Sequence, residues 1–324
     1  MYQSASCYMG LVLESSPYTA PQTDLQASDF DLLVENVKCS PNIEETKLAY
    51  CSGDFSAFKS VMGKSDCTIT FSHWLTQGAT ASTAPKWAKI ARACGWMQTA
   101  YTTTGIGWTL NSAYTAVPAY IECHWPSDTT TQIPFVVQIR GAMGNMKIVC
   151  DNVGKPVRLD FEFKGVLQGM EDRAELTKPT GYDTVQPAAF MNTTCTVFGE
   201  TVDLDKMTID CKNKVELYTD PATGLNGYSG ARVSRDKTDP PTLQIDPYLA
   251  SIASRGYYAR WTDATTGAVV FDVGTLLHIT APAAQIVKAY TGDVRNNAMV
   301  NTIDFILTRS SGNDEIEILQ GSKT

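Results

Sequence analysis

Apolar and polar positions alternate along most of this chain, and the alternation marks strands. Val157 to Lys164 is the cleanest run: Val157, Leu159, Phe161 and Phe163 fall on one side, Arg158, Asp160, Glu162 and Lys164 on the other. A period of two predicts a half-buried antiparallel strand with a solvated, charged face. Cys67–Leu75, Ile133–Arg140, Asn145–Cys150, Thr194–Phe198, Lys206–Asp210, Lys214–Tyr218, Ala268–Val273, Leu276–Thr280, Gln285–Tyr290, Asn301–Arg309 and Glu315–Leu319 also read as strands. Phe30–Cys39 opens the first strand region, and Lys47–Ser52 follows as a further strand. Gly53–Asp66 and Thr219–Pro241 read as loops, the second with a strand-like Ala231–Ser234 inside it.

One stretch breaks the period. In Gly78–Trp96 (GATASTAPKWAKIARACGW), Trp87, Ile90, Ala91 and Cys94 recur at i, i+3, i+4 and i+7. That spacing makes one apolar face of a short helix. Thr83 is read as its N-cap, Pro85 as a first-turn residue and Gly95 as its left-handed stop. A helix this short needs a sheet to dock on.

The construction returns later. Asp246 and Pro247 open a second predicted helix with Leu249, Ile252 and Ala253 on its apolar face, ended by Gly256. An aromatic strand is expected after each helix, Trp96–Tyr101 and Tyr257–Trp261. A strand–turn–strand unit closes each half, carrying Asp160-Phe161 in one and Asp304-Phe305 in the other. Such an echo in order predicts an internal duplication. The expected division is an N-terminal arm over 1–29, a first domain over 30–175 and a second over 176–324, with Gly165–Pro187 as linker. The polar arm either reaches a neighbour or lies on its own domain.

Composition narrows the function. The chain has 324 residues, 43% of them hydrophobic and 19% charged, which suits a packed β protein. A net charge of −8 argues against a nucleic-acid grip, which needs clustered cations. Nine dispersed cysteines without a CxxC pair suit reduced thiols in a protein made in a cytosol. The N-terminus lacks a basic region followed by an apolar run, so no signal peptide is expected, and no apolar run is long enough to span a bilayer.

Motifs for catalysis or cofactors fall short one by one. Gly227-Tyr228-Ser229-Gly230-Ala231 lacks the last glycine of a nucleophile elbow. Cys94 lies on the apolar helix stripe, where a cysteine acts as a small hydrophobe and not as a partner of His73 or His124. Cys123-His124 are adjacent on a strand and point apart, which does not suit a metal. Gly105-Ile106-Gly107 lacks the context of a phosphate loop. Asp160 and Glu162 could imitate an acid/base pair, but Arg158 and Lys164 beside them suit a charge-balanced face. Asn192-Thr193-Thr194 has the form of a glycosylation site without a secretory context. No enzyme, metal or cofactor is expected.

The helix stretch resembles a signature of the major tail (tail tube) proteins of long-tailed, siphovirus-type bacteriophages. A strand ending in Leu75 leads through Gly78 to a helix of the form aP-x-W-x-x-x-x-x-A-C-G, matched by Ala84, Pro85, Trp87, Ala93, Cys94 and Gly95. Gly154, Pro156, Phe161, Phe163 and Gly165 resemble the family's aG-x-P-x-x-x-x-F-x-F-x-G strand. Both matches fall in the first half; the second fits as a degenerate second tube domain.

The resemblance implies two tandem β-sandwich tail-tube domains, each with one short flanking helix. It also implies rings whose inner strands close into a β-barrel lumen. Single-domain members form hexamers and double-domain members form trimers, so the repeat favours a trimeric, pseudo-hexameric ring. The implied role is a structural virion protein, made in the bacterial cytoplasm and polymerised as stacked rings into a conduit for DNA. The implied partners are further copies of the chain, stacked through the arm and loops, with tail terminator and distal tail proteins at the ends. Tape-measure protein and DNA would occupy the lumen without specific binding, and no membrane is involved. Carboxylates outnumber basic residues 34 to 26, so an acidic lumen is expected. Asp160, Glu162, Asp304, Glu315 and Glu317 are the candidates to line it, whichever sheet faces inward. The competing reading is a virion-surface or carbohydrate-binding β-sandwich that uses the Trp and Tyr residues of 96–125.

Overall fold

A computed structural model describes residues 7–14, 25–48, 50, 58–101, 105–110, 117–126, 135–173, 182, 185–187, 189–191, 194–221, 227–248, 256–273, 277–295 and 298–321. The first half contains β1 (Tyr8–Leu13), β2 (Glu35–Thr46), β3 (Val61–Trp74), α1 (Trp87–Ala93), β4 (Trp96–Tyr101), β5 (Gly105–Leu110), β6 (Ala119–Trp125), β7 (Phe135–Cys150) and β8 (Arg158–Asp172). The second contains β9 (Cys195–Val197), β10 (Glu200–Thr201), β11 (Leu204–Asp210), β12 (Lys214–Thr219), β13 (Tyr228–Ser234), β14 (Thr242–Pro247), α2 (Tyr257–Thr262), β15 (Thr266–Val273), β16 (Leu277–Arg295), β17 (Ala298–Thr308) and β18 (Glu317–Gly321).

The fold is mainly β and sandwich-like, and its pairings are antiparallel. One sheet runs β10-β9-β15-β16-β17-β14-β11-β7-β8-β3-β2. It crosses from one half to the other where β11 pairs β7. A second crossing is made where β18 pairs both β16 and β5. A continuous core cluster runs from Met9 to Ile318 and takes in both halves.

Two long strands change partner partway, and this lets the sheet fold over that core. On one side β7 pairs β6 with its first part and β11 with its last four residues; β8 runs along the other side. Its pairing shifts register between Arg140 and Met143, a bulge that bends the strand. On one side β16 pairs β18 and then β17, with two shifts between Ile286 and Thr291. The sequence reading has each of these as two short strands, because bulges interrupt the alternation without ending the strand.

Helix α1 is buried as its stripe predicts: Trp87, Ile90, Ala91 and Cys94 have no exposed surface. The Trp87 ring lies 4.7 Å from that of Trp108, and its indole N–H donates to the Thr76 carbonyl at 2.7 Å. Gly95 adopts φ +81°, and its N–H donates to the Arg92 carbonyl, so the stop is where it was expected. Thr83 is not the cap. It closes a turn with Thr80, and the helix starts after Lys86 without a side-chain cap. The entry loop is instead held by Gln320 of β18, which donates to the carbonyls of Thr80, Ala81 and Thr83 and accepts from the Gly78 N–H. At the other end Asn213 donates to the Cys94 carbonyl at 2.6 Å.

Several boundaries differ from the sequence reading. Gly165–Asp172 is the end of β8 and not a linker. A Cβ at Gly165 would collide with Ile139 and Ala142, so a glycine there allows close strand contact. The rest of the expected linker lies largely outside the described residues; of Lys47–Ser52, Lys47, Leu48 and Tyr50 are described and are not strand. Val61–Asp66 belongs to β3, and Phe30–Val34 precedes β2 without being strand. Within the described parts of the arm, 7–14 and 25–29, Tyr8–Leu13 pairs β6 and buries Met9 and Leu11, so this part lies on its own domain.

The second-helix region is corrected most. Asp246 and Pro247 are the last residues of β14, and Asp246 is buried and accepts from the Thr302 hydroxyl at 2.8 Å, so the strand runs through the position expected to open the helix. Leu249, Ile252 and Ala253 lie outside the described residues. Tyr257–Thr262, expected as an aromatic strand, is helix α2. Aromatic enrichment over six residues favours strand by propensity, and tertiary context overrides so short a signal.

The Thr219–Pro241 loop contains β13, which pairs β12 as a separate hairpin. That hairpin packs Ala231 and Val233 against Met143 of β7. An element encoded in the second half thus covers strands of the first.

Candidate functional site: a charged sheet face with two open edges

The polar positions of β8 build a face that continues across both halves. Leu159, Phe161 and Phe163 go into the core, which leaves Arg158, Asp160, Glu162 and Lys164 outward. Cross-strand register then fixes their neighbours. Ser72, Asp160, Lys147, Asp210 and Thr242 form one row across β3, β8, β7, β11 and β14. Arg158, Val149, Thr208, Gln244, Asp304 and Lys288 form the adjacent row, ending on β16. Lys38, Thr70, Glu162 and Asn145 form a third. A shallow groove over β2, β3, β7 and β8 is lined by Lys38, Ser72, Asn145, Lys147, Arg158 and Glu162.

Opposite charges are interleaved on this face. Arg158 donates to Asp160 and Asp151 at 2.8 and 2.9 Å. Its pKa is raised, chiefly by the hydrogen bond to Asp160. Lys147 sits 3.0 Å from Asp210, and Lys164 sits 3.9 Å from Asp66. Burial pushes the Asp210 carboxyl up. The Asn145 amide, the Lys212 N–H and Lys147 outweigh that effect and hold it below the ordinary range. Lys206 stands opposite Asp246, and Lys288 opposite Asp304. Exposed pairs of this kind add little stability, but they leave Arg158, Lys147 and Lys164 beside carboxylates.

The expected lumen acids therefore separate. Asp160, Glu162 and Asp304 share this face. Glu317 lies on β18, away from it, and Glu315 precedes β18, so it is not on a strand; it pairs with Arg235 at 3.7 Å. The face interleaves both signs of charge, because Lys147, Lys206 and Lys288 come from strands whose neighbours the sequence does not reveal.

Among the described residues, two long strands lack a strand partner along one side. β2 has twelve residues and, among the described residues, pairs only β3. At the other end, β15 pairs β16 only as far as Gln285, so the distal part of β16 has no strand partner on that side among the described residues; helix α2, just before β15, packs against β16. Both edges carry exposed apolar side chains: Ile43 on β2 with Val61 and Met62 on β3, and Val287 and Val294 on β16 with Met299 on β17.

The positions weighed for catalysis are otherwise occupied. Asp160 accepts from Arg158 and from Ser72 at 2.7 Å, which makes it a structural acceptor. Cys94 is fully buried, and burial first, then Cys211, pushes its thiol well above the ordinary range. Glu122 and His124 on β6 are both fully buried and bond to each other at 3.2 Å. Glu122 also accepts from Tyr120, Gln138 and Arg173. Burial pushes its carboxyl up, but the bonds from His124 and Tyr120 and the Arg173 charge outweigh that and hold it low.

Of the aromatic residues expected for a glycan site, Trp96, Trp108 and Tyr120 are buried and Trp125 is half-buried against Phe135. A scan against protein-family models and a search of the curated proteins each find no match to the chain.

Proposed function

We propose that this chain is the tail tube protein of a siphovirus-type phage, polymerising as stacked rings that conduct DNA. The observation that carries the reading is the sheet that crosses both halves and ends in an open edge on each side. Unpaired strand edges are a hazard for a lone molecule and a means of closure for a ring. The β2 edge of one copy would pair the distal β16 edge of the next, and the exposed apolar residues on both would be covered. Each copy would contribute two hairpin units, β2-β3-β8-β7 and β11-β14-β17-β16, and three copies would close the circle.

The charged face would then line the bore. A wall of paired cations offers DNA few attractive, counterion-releasing contacts. DNA would therefore slide because cations are paired, and not because the wall is acidic. Electron microscopy of the purified protein tests the reading. Rings or tubes with an open bore are expected, and dispersed single particles at every concentration would count against it.

A further inference from the structure

The two strand edges that lack a partner are keyed by their backbones. The ladder from β2 to β3 is regular from Lys38 to Ile43, with Cys39 opposite Ile69, Pro41 opposite Cys67 and Ile43 opposite Ser65. Proline has no N–H to donate, so a paired strand holds it where its nitrogen faces away from the partner. Backbone groups alternate in direction along an antiparallel strand, so Cys39, Pro41 and Ile43 face the open side. That edge offers N–H and C=O at Cys39 and Ile43, but only C=O at Pro41. A straight strand laid along it would leave a carbonyl without a donor opposite Pro41.

The distal part of β16 has a matching shape. It carries register shifts between Ile286 and Thr291, with Tyr290 at φ +61°, and then runs regularly from Thr291 to Arg295. Arg295 and Ala298 close the hairpin to β17 and face each other. By the same alternation Gly292 and Val294 face the open side, and both are exposed. Within this regular segment an antiparallel neighbour can set Cys39 opposite Gly292 or opposite Val294. The second choice puts Lys38 opposite Arg295, cation on cation. The first puts Lys38 opposite Asp293 and brings Pro41 to Tyr290, where the bulge already interrupts the ladder. Lys38 is exposed on the charged face, in the row of Thr70, Glu162 and Asn145, and has no ion pair among the described residues. Position 293 is opposite Val300, four residues from Asp304 on β17, which places it on that same face.

We propose that β2 of one copy pairs antiparallel with β16 of the next in a single register, Cys39 opposite Gly292 and Lys38 opposite Asp293, with the ladder ending at Pro41. This rests on the ring reading and fixes its seam. Lys38 would gain the carboxylate that it lacks within its own chain. Val294, 64% exposed, would be covered beside Val37. Pro41 would also act against the wrong partner, because two β2 edges cannot pair along their full length.

The experiment uses rings assembled from a mixture of light and heavy-isotope chains. A zero-length carbodiimide joins only amines and carboxylates already in contact, and mass spectrometry maps the product. A Lys38–Asp293 linked peptide between one light and one heavy chain is expected. Rings in which Lys38 is joined across chains to another carboxylate, or to none, would overturn the register and leave the ring reading standing. Absence of rings would overturn both. Charge reversal gives a second readout. Lys38→Asp and Asp293→Lys should each raise the concentration needed for rings by about tenfold or more, and the double variant should bring it back near the wild-type value. A double variant no better than either single one would overturn the register as well.

Discussion

The two described α-helices are of similar length but lie in very different surroundings. α1 buries Trp87, Ala88, Ile90, Ala91 and Ala93, while α2 buries only Tyr257 and leaves Tyr258 and Trp261 exposed. The clasp on α1 explains the difference. Its entry loop is bonded to Gln320 and its last carbonyl to Asn213, both from the second half. The first half is therefore completed by residues of the second, and the halves are interlocked through α1, the β11–β7 pairing and the β12–β13 hairpin. A duplicated plan, if the halves share one, has been specialised so that one helix is structural core and the other lies at the surface.

The largest expected effect separates the helices directly. Trp87→Ala should cost about 3–5 kcal/mol, as large aromatic truncations in cores do. Trp261→Ala should stay within about 0.5 kcal/mol, as exposed substitutions do. Urea denaturation of both variants checks the contrast, and equal losses would break it.

A comparable loss is expected at the buried pair that holds the end of β8. Arg173→Ala leaves Glu122 buried without its cation, a change that costs about 3–5 kcal/mol in such pairs. The pH dependence has a fixed sign. The folded Glu122 pKa is depressed, so its contribution is fully present above the unfolded carboxylate value of about 4.3 and is lost as pH falls through the lower folded value. The Glu122→Gln protein should show a shallower loss of stability in acid. Identical acid titrations of the two proteins would refute this.

Smaller effects are expected at the clasp. Gln320→Ala removes the donor from three loop carbonyls and the acceptor of the Gly78 N–H, and should cost about 1–3 kcal/mol. Asn213→Ala should fall in the same range. Hydrogen exchange should localise both losses to 76–95; a loss spread evenly over the molecule would argue against a clasp. The smallest effect on stability concerns the open edge. Ile43→Lys should change folding by no more than about 0.5 kcal/mol, since Ile43 is 49% exposed. On the ring account it should nevertheless abolish assembly, which sedimentation would detect.

Much of this contrast was legible beforehand. The stripe of Trp87, Ile90, Ala91 and Cys94 has the right period, a proline at its start and a glycine at its end, and each signal agrees with the others. The polar face of β8 was equally readable, because Leu159, Phe161 and Phe163 fix its orientation. Its neighbours were not. Lys147, Asp210 and Lys288 become partners only through register between distant strands, and local periodicity carries no information on pairing order. Gln320 and Asn213 were missed for the same reason: a cap supplied from the far end of the chain leaves no mark beside the helix. α2 failed differently. Its aromatic residues favour strand, and six residues give too little periodicity to correct that preference.

The central claim is that open edges at the two ends of one sheet close three copies into a ring, and the native mass of the assembled particle tests it most directly. The account predicts a ring of three 35.3 kDa chains, with higher species as stacks of that unit. A ring of six chains, or a monomer at every concentration, would contradict it.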